Sequence, residues 1–300
     1  MVIRIGDFNY IRDLVRERSA IVLEPGKEYL VESRLGPLAQ QEGFSSLVQM
    51  VDRLRSGSFG DLHRKVVEAM TTNETSFFRE MRVFEMFRKA ILPKLLAARR
   101  IQHSLHLWCA ASSSGQEPYS VAMLLRECLP MMDPWNVTFI ASDLSREILA
   151  RARAGRYNQL EVNRGLPAHL LVKYFKKEGP VWEISPLIRG MVEFREINLI
   201  NDWPSLPRLD VIFMRNVLIY LDVETKKSIF RRIRRLLAPD GYLLLGGAET
   251  TTVLDDSFEP VSLEGATCFR LRAGIQHAAP VVSPSSGRAG EGKPRAPLEK

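Results

Sequence analysis

A predicted strand that runs into a turn of small residues and then into a helix most constrains the fold of this chain. Apolar residues predict the strand at 105–110, and the turn at 111–115 contains one alanine, three serines and one glycine. Glu117 follows in the first turn of the predicted helix. Small side chains allow close approach of the backbone, and a helix start presents unpaired N–H groups to a polar ligand. The segment therefore predicts an open α/β sheet that holds a nucleotide-like cofactor.

This turn is not a dinucleotide fingerprint. The pattern G-x-G-x-x-G is missing, because Ala110 and Ala111 occupy positions where glycine is expected. Three successive serines are also compatible with an ordinary polar loop. Taken alone, the turn indicates a type of site and leaves the identity of the cofactor open.

Strands and helices alternate between residues 101 and 272. Apolar runs predict strands at 105–110, 137–142, 192–197, 211–214, 242–245 and 267–271. Helical patterns lie between them at 117–129, 146–154 and 225–237, and the Pro-Asp-Gly sequence at 239–241 predicts a turn. This order is typical of an α/β fold with a doubly wound, mostly parallel, Rossmann-like sheet.

The rest of the chain follows other patterns. Residues 1–72 contain four helical candidates (7–19, 27–41, 44–55 and 61–71), so we expect a small all-helical N-terminal domain. Residues 73–100 are expected to form a linker and a connecting helix to the domain at 101–272. Prolines, glycines and a Val-Trp-Glu-Ile run predict a short β-insertion at 176–190. The composition of 273–300, rich in Pro, Gly, Ser and Ala, predicts a disordered tail.

Composition argues against several classes of function. The net charge of +7 would suit an acidic partner, but the arginines of 231–235 alternate with apolar residues at helical spacing. We therefore interpret them as the solvated face of an amphipathic helix and expect no nucleic-acid partner. The three cysteines and five histidines form no ligand pattern, so we expect no disulfide framework and no metal. The absence of a long apolar run predicts no membrane insertion and favours a cytoplasmic location. We also expect a monomer.

Polar residues near predicted strand ends are candidates for the site. Asp143 ends the second strand, where an acid can bind both hydroxyls of a ribose, although it could equally cap the next helix. In the linker, Asn73, Thr75 and Arg79 surround two phenylalanines that could anchor a hinge. A planar guanidinium can also clamp the carboxylate of a cofactor with an amino-acid tail.

The segment after the fourth predicted strand, FMRNVLIYLD, supplies three more candidates. Ligand sites in open α/β sheets lie at the carboxyl ends of strands, so Arg215, Asn216 and Tyr220 are expected to face a substrate. Packing of Tyr220 under the following helix is the alternative interpretation.

Six motifs, in this order, resemble the bacterial chemotaxis methyltransferases of the CheR family. They are NETSFFR, SSSGQEPYS, ASDLS followed by GRY, EINLI, MRNVLIY and LLLGGAET. The first loop departs from the common form at Ala111, Ser112 and Gln116, where Gly, Cys and Glu are more usual. These replacements keep small side chains in the turn, and Glu117 remains intact.

The resemblance implies a protein-glutamate O-methyltransferase that uses S-adenosylmethionine, forms S-adenosylhomocysteine and acts on the cytoplasmic helical domain of chemoreceptors. It also implies roles for individual residues. Asn73, Thr75 and Arg79 would contact the cofactor, with Arg79 on its carboxylate; Glu117 and Asp143 would contact its nucleoside, Asn198 and Leu199 would lie beside the adenine, Met214 and Arg215 would line the methyl-transfer pocket, and Tyr220 would lie near the acceptor carboxylate.

The chemistry of such a reaction needs little from the protein beyond geometry. A glutamate with a pKa of about 4.3 is already anionic at neutral pH and needs no general base. The enzyme has to align the carboxylate oxygen behind the methyl carbon and exclude water. We therefore expect Arg215 mainly to position the acceptor, so that its replacement by Ala reduces methyl transfer far more than cofactor binding.

Three other functions compete with this interpretation. The chain could be an inactive methyltransferase-like binding module, or an active methyltransferase with another acceptor. A nicotinamide dehydrogenase on the same type of sheet is disfavoured by the missing glycines and by Arg79.

Overall fold

The structure, a computed structural model, describes residues 3–128 and 135–274. Its first four helices pack their apolar faces into one core around Ile11, Leu35 and Met50. These helices are α1 (Ile5–Ser19), α2 (Glu28–Gln41), α3 (Leu47–Ser56) and α4 (Asp61–Ala69). The predicted all-helical N-terminal domain is therefore confirmed. Most of the predicted disordered tail lies outside the described residues.

A continuous helical segment leads from the linker to the sheet. Helix α5 (Met81–Met86) continues through a π-helical turn (Phe87–Ile91) into α6 (Leu92–Ala98). Pro93 lacks the N–H that would bond to the Lys89 carbonyl, and a proline ring clashes with the carbonyl four residues earlier. The wider π turn accommodates this proline. Phe87, fully buried, packs edge-on against Phe213 of the sheet at 5.5 Å between ring centroids.

Ten strands and six further helices form the rest of the described chain. The strands are β1 (Ser104–Ala110), β2 (Asn136–Asp143), β3 (Arg156–Asn158), β4 (Phe175–Glu178), β5 (Val181–Ile184), β6 (Glu193–Glu196), β7 (Leu209–Met214), β8 (Leu237–Leu245), β9 (Phe258–Leu263) and β10 (Ala266–Leu271). The helices are α7 (Gln116–Cys128), α8 (Arg146–Ala154), α9 (Gln159–Asn163), α10 (Ala168–Tyr174), α11 (Pro186–Arg189) and α12 (Val223–Leu236).

Seven strands make the central sheet, in the order β6-β2-β1-β7-β8-β10-β9. The pairs from β6 to β8 are parallel, whereas β10 runs antiparallel to both β8 and β9. This confirms the predicted doubly wound, mostly parallel sheet. The strand order reverses between β1 and β7, and such a switch point is where open α/β sheets bind ligands.

Two details of the sheet differ from the sequence-based expectation. The Pro-Asp-Gly sequence at 239–241 lies within β8, where it forms a bulge rather than a free turn: Leu209 pairs with Leu237 and Val211 with Tyr242, so residues 238–241 lie opposite Asp210 alone. Gly241 fits there because a Cβ atom would lie only 2.9 Å from Leu237 Cδ1. Strand β9 is an additional edge strand, and its alternation is weak because Pro260 and exposed polar residues interrupt it.

A second, three-stranded antiparallel sheet has the order β3-β5-β4. The predicted short β-insertion is therefore present, but it extends beyond 176–190. Strand β3 joins it from residue 156 because Arg156 pairs with Glu183 of β5. The second half of the predicted range forms α11 instead, where Ser185 caps the helix and Pro186 occupies its first turn.

Candidate active site

A cleft opens at the carboxyl ends of β1, β2 and β7, at the switch point of the sheet. Its empty volume is about 910 Å³, counted out to the solvent opening. The N-terminal domain closes one side with Ser19, Ile21, Thr71 and Thr72. Ten of the eleven site residues expected from the sequence line this cleft: Asn73, Thr75, Arg79, Glu117, Asp143, Asn198, Leu199, Arg215, Asn216 and Tyr220.

Met214 is the exception. It ends β7, is fully buried, and packs in the core with Leu245 and Trp108 rather than among the described residues of the cleft wall. Successive residues of a strand point to opposite faces, so the direction of Arg215 into the cleft turns Met214 away from it.

The turn at 111–115 is held in a left-handed conformation with few glycines. Ala111 and Ser113 have φ values of 54° and 49°, and Gly115 has a φ of 93°. At Gly115 the space is also tight, because a Cβ atom would lie 3.1 Å from Ala152 Cβ. The buried Ser112 Oγ has no hydrogen-bond partner within the described chain and lines the cleft, so a ligand could use it.

Asp143 ties this turn to the start of α8. Its Oδ2 accepts from the Ser113 backbone N–H at 2.9 Å, and its Oδ1 accepts from the Ser145 N–H at 3.1 Å. The N-cap of α8 is Ser145, whose Oγ accepts from the Ile148 N–H, so Asp143 is not that cap. Burial raises the pKa of Asp143, although these backbone hydrogen bonds oppose the shift. Its position at the end of β2 is compatible with contact to a ribose.

The fully buried side chain of Arg215 forms an ion pair at the back of the cleft. Its Nη1 bonds to Glu117 Oε2, and its Nη2 lies 3.3 Å from Glu80 Oε2 and 2.8 Å from the Arg79 carbonyl. The Phe84 ring centroid lies 5.6 Å from the guanidinium carbon. Burial alone would lower the pKa of Arg215, but the two carboxylates raise it overall and keep the guanidinium charged.

The two acids around Arg215 have different environments. Glu117 is 12% exposed and also accepts from the Cys109 thiol at 3.2 Å, whereas Glu80 is 37% exposed at the outer edge. Burial raises the pKa of Cys109, and the nearby Glu117 adds to the effect, so this thiol stays neutral. The charge of Arg215 is therefore compensated inside the protein. Glu117 is expected to meet a ligand as part of this pair rather than as a free acid.

Arg79 and Asn198 both line the cleft. Arg79 is half-buried, and its Nη1 donates to the Glu74 carbonyl at 3.1 Å, which directs the guanidinium along the cleft wall. Asn198 donates from Nδ2 to the Arg18 carbonyl at 2.8 Å and accepts from the Ile200 N–H at Oδ1. The Asn198 amide therefore holds the N-terminal domain against the sheet, in addition to lining the cleft.

Tyr220 closes a short loop that leaves β7. Asn216 has a φ of 58°, and residues Leu218–Tyr220 form one turn of 3-10 helix. The Tyr220 carbonyl accepts from the Val22 N–H at 3.0 Å, which connects the loop to the N-terminal domain. Tyr220 is half-buried and lines the cleft, as its candidate role requires.

Sequence reasoning missed part of this wall. Ser19 and Ile21 of the N-terminal domain line the cleft only because the two domains pack together. No local sequence pattern therefore predicts that they belong to the site. Glu80 directly follows Arg79 in the linker and has a left-handed φ of 60°. The only local sign of the ion pair between Glu80 and Arg215 was that Glu80 is an acid next to the motif residue Arg79.

Other classes of site are not found in the described ranges. Within residues 3–128 and 135–274, no group of three or more His, Cys, Asp or Glu side chains is arranged to hold a metal ion. Across the same ranges, no helix combines the length and apolar character needed to cross a membrane.

Comparison with known sequences agrees with this geometry. The family model described as CheR methyltransferase, SAM binding domain, matches residues 73–266, and the model described as CheR methyltransferase, all-alpha domain, matches residues 6–71. The chain belongs to the CheR methyltransferase family. The first match begins at Asn73 and ends at the first residue of β10, so it includes the cleft residues from Asn73 to Leu221.

Individual CheR-family relatives match over nearly their full lengths. Chemotaxis protein methyltransferase 1 of Pseudomonas aeruginosa is 41% identical over 272 residues, covering 89% of this chain and 98% of that protein. Chemotaxis protein methyltransferase 1 of Vibrio cholerae is 38% identical over 277 residues, covering 90% of this chain and 99% of that protein.

Proposed function

We propose that this CheR-family protein transfers a methyl group from S-adenosylmethionine to glutamate carboxylates of chemoreceptors. The products would be glutamate methyl esters and S-adenosylhomocysteine. The observation that carries the proposal is the set of charges around the cleft. The charged side chains among its described lining residues are three acids (Glu74, Glu117 and Asp143) and two arginines (Arg79 and Arg215), a formal charge of −1.

This charge complements the proposed cofactor. S-adenosylmethionine carries a carboxylate, an ammonium and a sulfonium group at neutral pH, and therefore a net charge of +1. A nicotinamide dinucleotide carries two anionic phosphates, which a cleft with net negative charge would disfavour. The charge of the lining thus supports the sulfonium cofactor over the dehydrogenase alternative.

The lining residues offer partners for each part of that cofactor. Arg79 is suited to the amino-acid carboxylate, because its fork of N–H donors matches a carboxylate. Asp143 is suited to the ribose, and the Ser112 Oγ, which has no hydrogen-bond partner within the described residues, lies in the 111–115 turn that Asp143 contacts. In the Glu117–Arg215 pair, the Glu117 carboxylate would face the cationic ammonium and sulfonium groups of S-adenosylmethionine.

The protein residues would act by position rather than by proton transfer. When bound, the cofactor supplies an electrophilic methyl group. An acceptor glutamate is ionised at neutral pH, so the site needs no base. Because Arg215 is already balanced by Glu117 and Glu80, it would orient an incoming carboxylate without strongly stabilising it. The Tyr220 side chain, at the opening of the cleft, is suited to hydrogen-bond the acceptor.

The decisive assay is transfer of a labelled methyl group to purified cytoplasmic domains of candidate receptors. Acceptor Glu→Gln receptor variants serve as controls. Label that depends on the acceptor glutamates supports the proposal. Failure to label any receptor would favour a different acceptor, and failure to bind the cofactor at all would favour an inactive binding module. We further propose that the enzyme is cytoplasmic and monomeric. Size-exclusion chromatography with light scattering can check the monomeric state.

The role of Tyr220 can be tested without disturbing the buried ion pair. Tyr220→Phe removes only the hydroxyl, so we expect kcat for methyl transfer to fall roughly 10-fold or more while the cofactor Kd changes less than about 2-fold. Tyr29→Phe on the exposed surface of α2 is the matched control. Equal losses of transfer and cofactor binding would contradict the assignment.

A further inference from the structure

We propose that Glu249 is a positioning residue that holds the catalytic loop, defined here as residues 215–220, in its active shape. This inference rests on the proposed methyl transfer for its functional consequence, but its structural part is independent of the acceptor. Glu249 follows the carboxyl end of β8, three residues after Gly246, and it is only partly buried. The cleft lining does not include it among the described residues, so it acts behind the loop rather than on a ligand.

The Glu249 carboxylate accepts hydrogen bonds from a run of backbone N–H groups. Oε1 accepts from Val217 at 2.9 Å, from Leu218 at 2.7 Å and from Ile219 at 3.3 Å. Oε2 accepts from Asn216 at 2.8 Å and from Gly246 at 2.7 Å. One side chain therefore joins four consecutive residues of the catalytic loop to the end of the neighbouring strand.

Backbone geometry explains why the loop needs an anion at this point. Asn216 has a left-handed φ of 58°, and the 3-10 turn that starts at Leu218 leaves its first N–H groups without partners inside the turn. Successive N–H groups that point to one side form a concave anion-binding site. A carboxylate satisfies all of them, because both of its oxygens are acceptors only.

The packing around Gly246 independently indicates that this contact is tightly specified. A Cβ atom at Gly246 would lie 2.6 Å from Asn216 Nδ2 and 2.9 Å from both Asn216 N and Glu249 Oε2. The ends of β7 and β8 can therefore approach closely enough to share one carboxylate only if residue 246 has no side chain.

The consequence for function follows from the ends of the loop. Arg215 and Tyr220 are its first and last residues, whereas Arg79 and Asp143 lie on the linker and on β2. Loss of the Glu249 contacts should misplace the acceptor side of the cleft and spare most of the cofactor side. The expected signature is a lower kcat with a cofactor Kd that is nearly unchanged.

Glu249→Gln is the direct test, in the full-length protein. Glutamine keeps the length of the side chain but turns one acceptor into an NH₂ donor that faces N–H groups. We expect amide hydrogen exchange at 216–219 to accelerate at least ~10-fold, which corresponds to the loss of one net hydrogen bond of about 1.4 kcal/mol. We expect kcat to fall at least ~10-fold with the Kd of S-adenosylhomocysteine changed less than about 2-fold.

Two further variants keep the test decisive. Glu249→Asp retains the charge, so it should recover part of the exchange protection and part of kcat, and Glu264→Gln at the exposed tip of the β9–β10 hairpin should change neither. If Glu249→Gln does not fold, Gly246→Ala with intact Glu249 should still raise exchange at 216–219. Unchanged exchange in Glu249→Gln would overturn the positioning role. Wild-type protein that methylates no receptor, but whose loop responds as described, would refute only the proposed function.

Discussion

The buried ion pair of Arg215 gives the sharpest quantitative prediction. Replacement of Arg215 by Ala leaves the Glu117 carboxylate, 12% exposed, without its cationic partner. Removal of one member of a buried pair costs about 3–5 kcal/mol, because the remaining charge has lost water on folding and gains nothing in return. Glu80 is 37% exposed and can be hydrated, so it should add little to this cost.

A double variant distinguishes two costs in stability: that of the unpaired Glu117 carboxylate and that of the lost side-chain packing. Glu117→Gln together with Arg215→Met removes both charges and keeps most of the side-chain volume. The amide oxygen of the introduced glutamine can still accept from the Cys109 thiol, as Glu117 does at 3.2 Å. Replacement of a whole buried pair by neutral groups is often close to neutral, so we expect this variant to lose less than about 2 kcal/mol.

Urea unfolding at pH 7, without cofactor, measures both effects. The single variants Glu117→Gln and Arg215→Met, measured beside the double variant, complete a mutant cycle in which a coupling energy of up to about 3 kcal/mol is expected for groups in direct contact. Lys227→Ala, which breaks an exposed pair with Glu224 on α12, should cost less than about 1 kcal/mol. The reasoning fails if Arg215→Ala costs no more than this control, or if the double variant is as unstable as Arg215→Ala.

Two further predictions concern the loop and the far end of the sheet. Ala111→Gly should stabilise the protein by up to about 1 kcal/mol in thermal unfolding, because Ala111 is held at a φ of 54°. Gly115→Ala should destabilise it by about 1–2 kcal/mol or more, because Gly115 has a φ of 93°. The opposite order of stabilities would refute the strain argument. The hydrogen bond from Arg99 lowers the pKa of Asp240, so the stabilisation by this pair is present above about pH 4 and is lost as the pH falls through the lowered pKa. Asp240→Asn should therefore reduce stability in urea unfolding at about pH 6 and approach wild type as the pH falls below the lowered pKa of Asp240, and a difference that grows in acid would contradict this assignment.

Local patterns predicted the elements whose buried residues follow a simple rule. The four N-terminal helices were recognisable because their apolar positions repeat at the helical period. The strand at 105–110 was recognisable because it is a nearly continuous apolar run, buried at every position from Leu107 to Ala110. The edge strand β9 was not, since only Phe258 of its residues is well buried and Pro260 interrupts it. The Pro-Asp-Gly sequence at 239–241 predicted a turn because local chemistry favours one, and the segment instead forms a bulge of β8 between the Leu209–Leu237 and Val211–Tyr242 pairs.

The candidate site divides in the same way. Motif residues such as Arg79, Asp143 and Arg215 were predicted because polar residues at strand ends lie where ligands bind, and all three line the cleft. Their partners were harder to predict, because Arg215 meets Glu117 across 98 positions of sequence and Glu249 meets Leu218 of the loop across 31. Such pairs depend on the register of the whole sheet, which a single sequence does not specify locally.

The shared wall of the cleft has a thermodynamic consequence. Ile21 pairs with Leu221 in an isolated antiparallel bridge, so both domains must be docked for the cleft to be complete. A small molecule that contacts both walls therefore stabilises docking by about 2.7 kcal/mol at roughly one hundred times its Kd. Linkage makes this coupling reciprocal. A macromolecule that favours separation of the domains lowers the affinity of the protein for the small molecule. The small molecule lowers the affinity of the protein for that macromolecule by the same factor. The domain boundary thus gives a binding partner a means to control occupancy of the cleft without touching it.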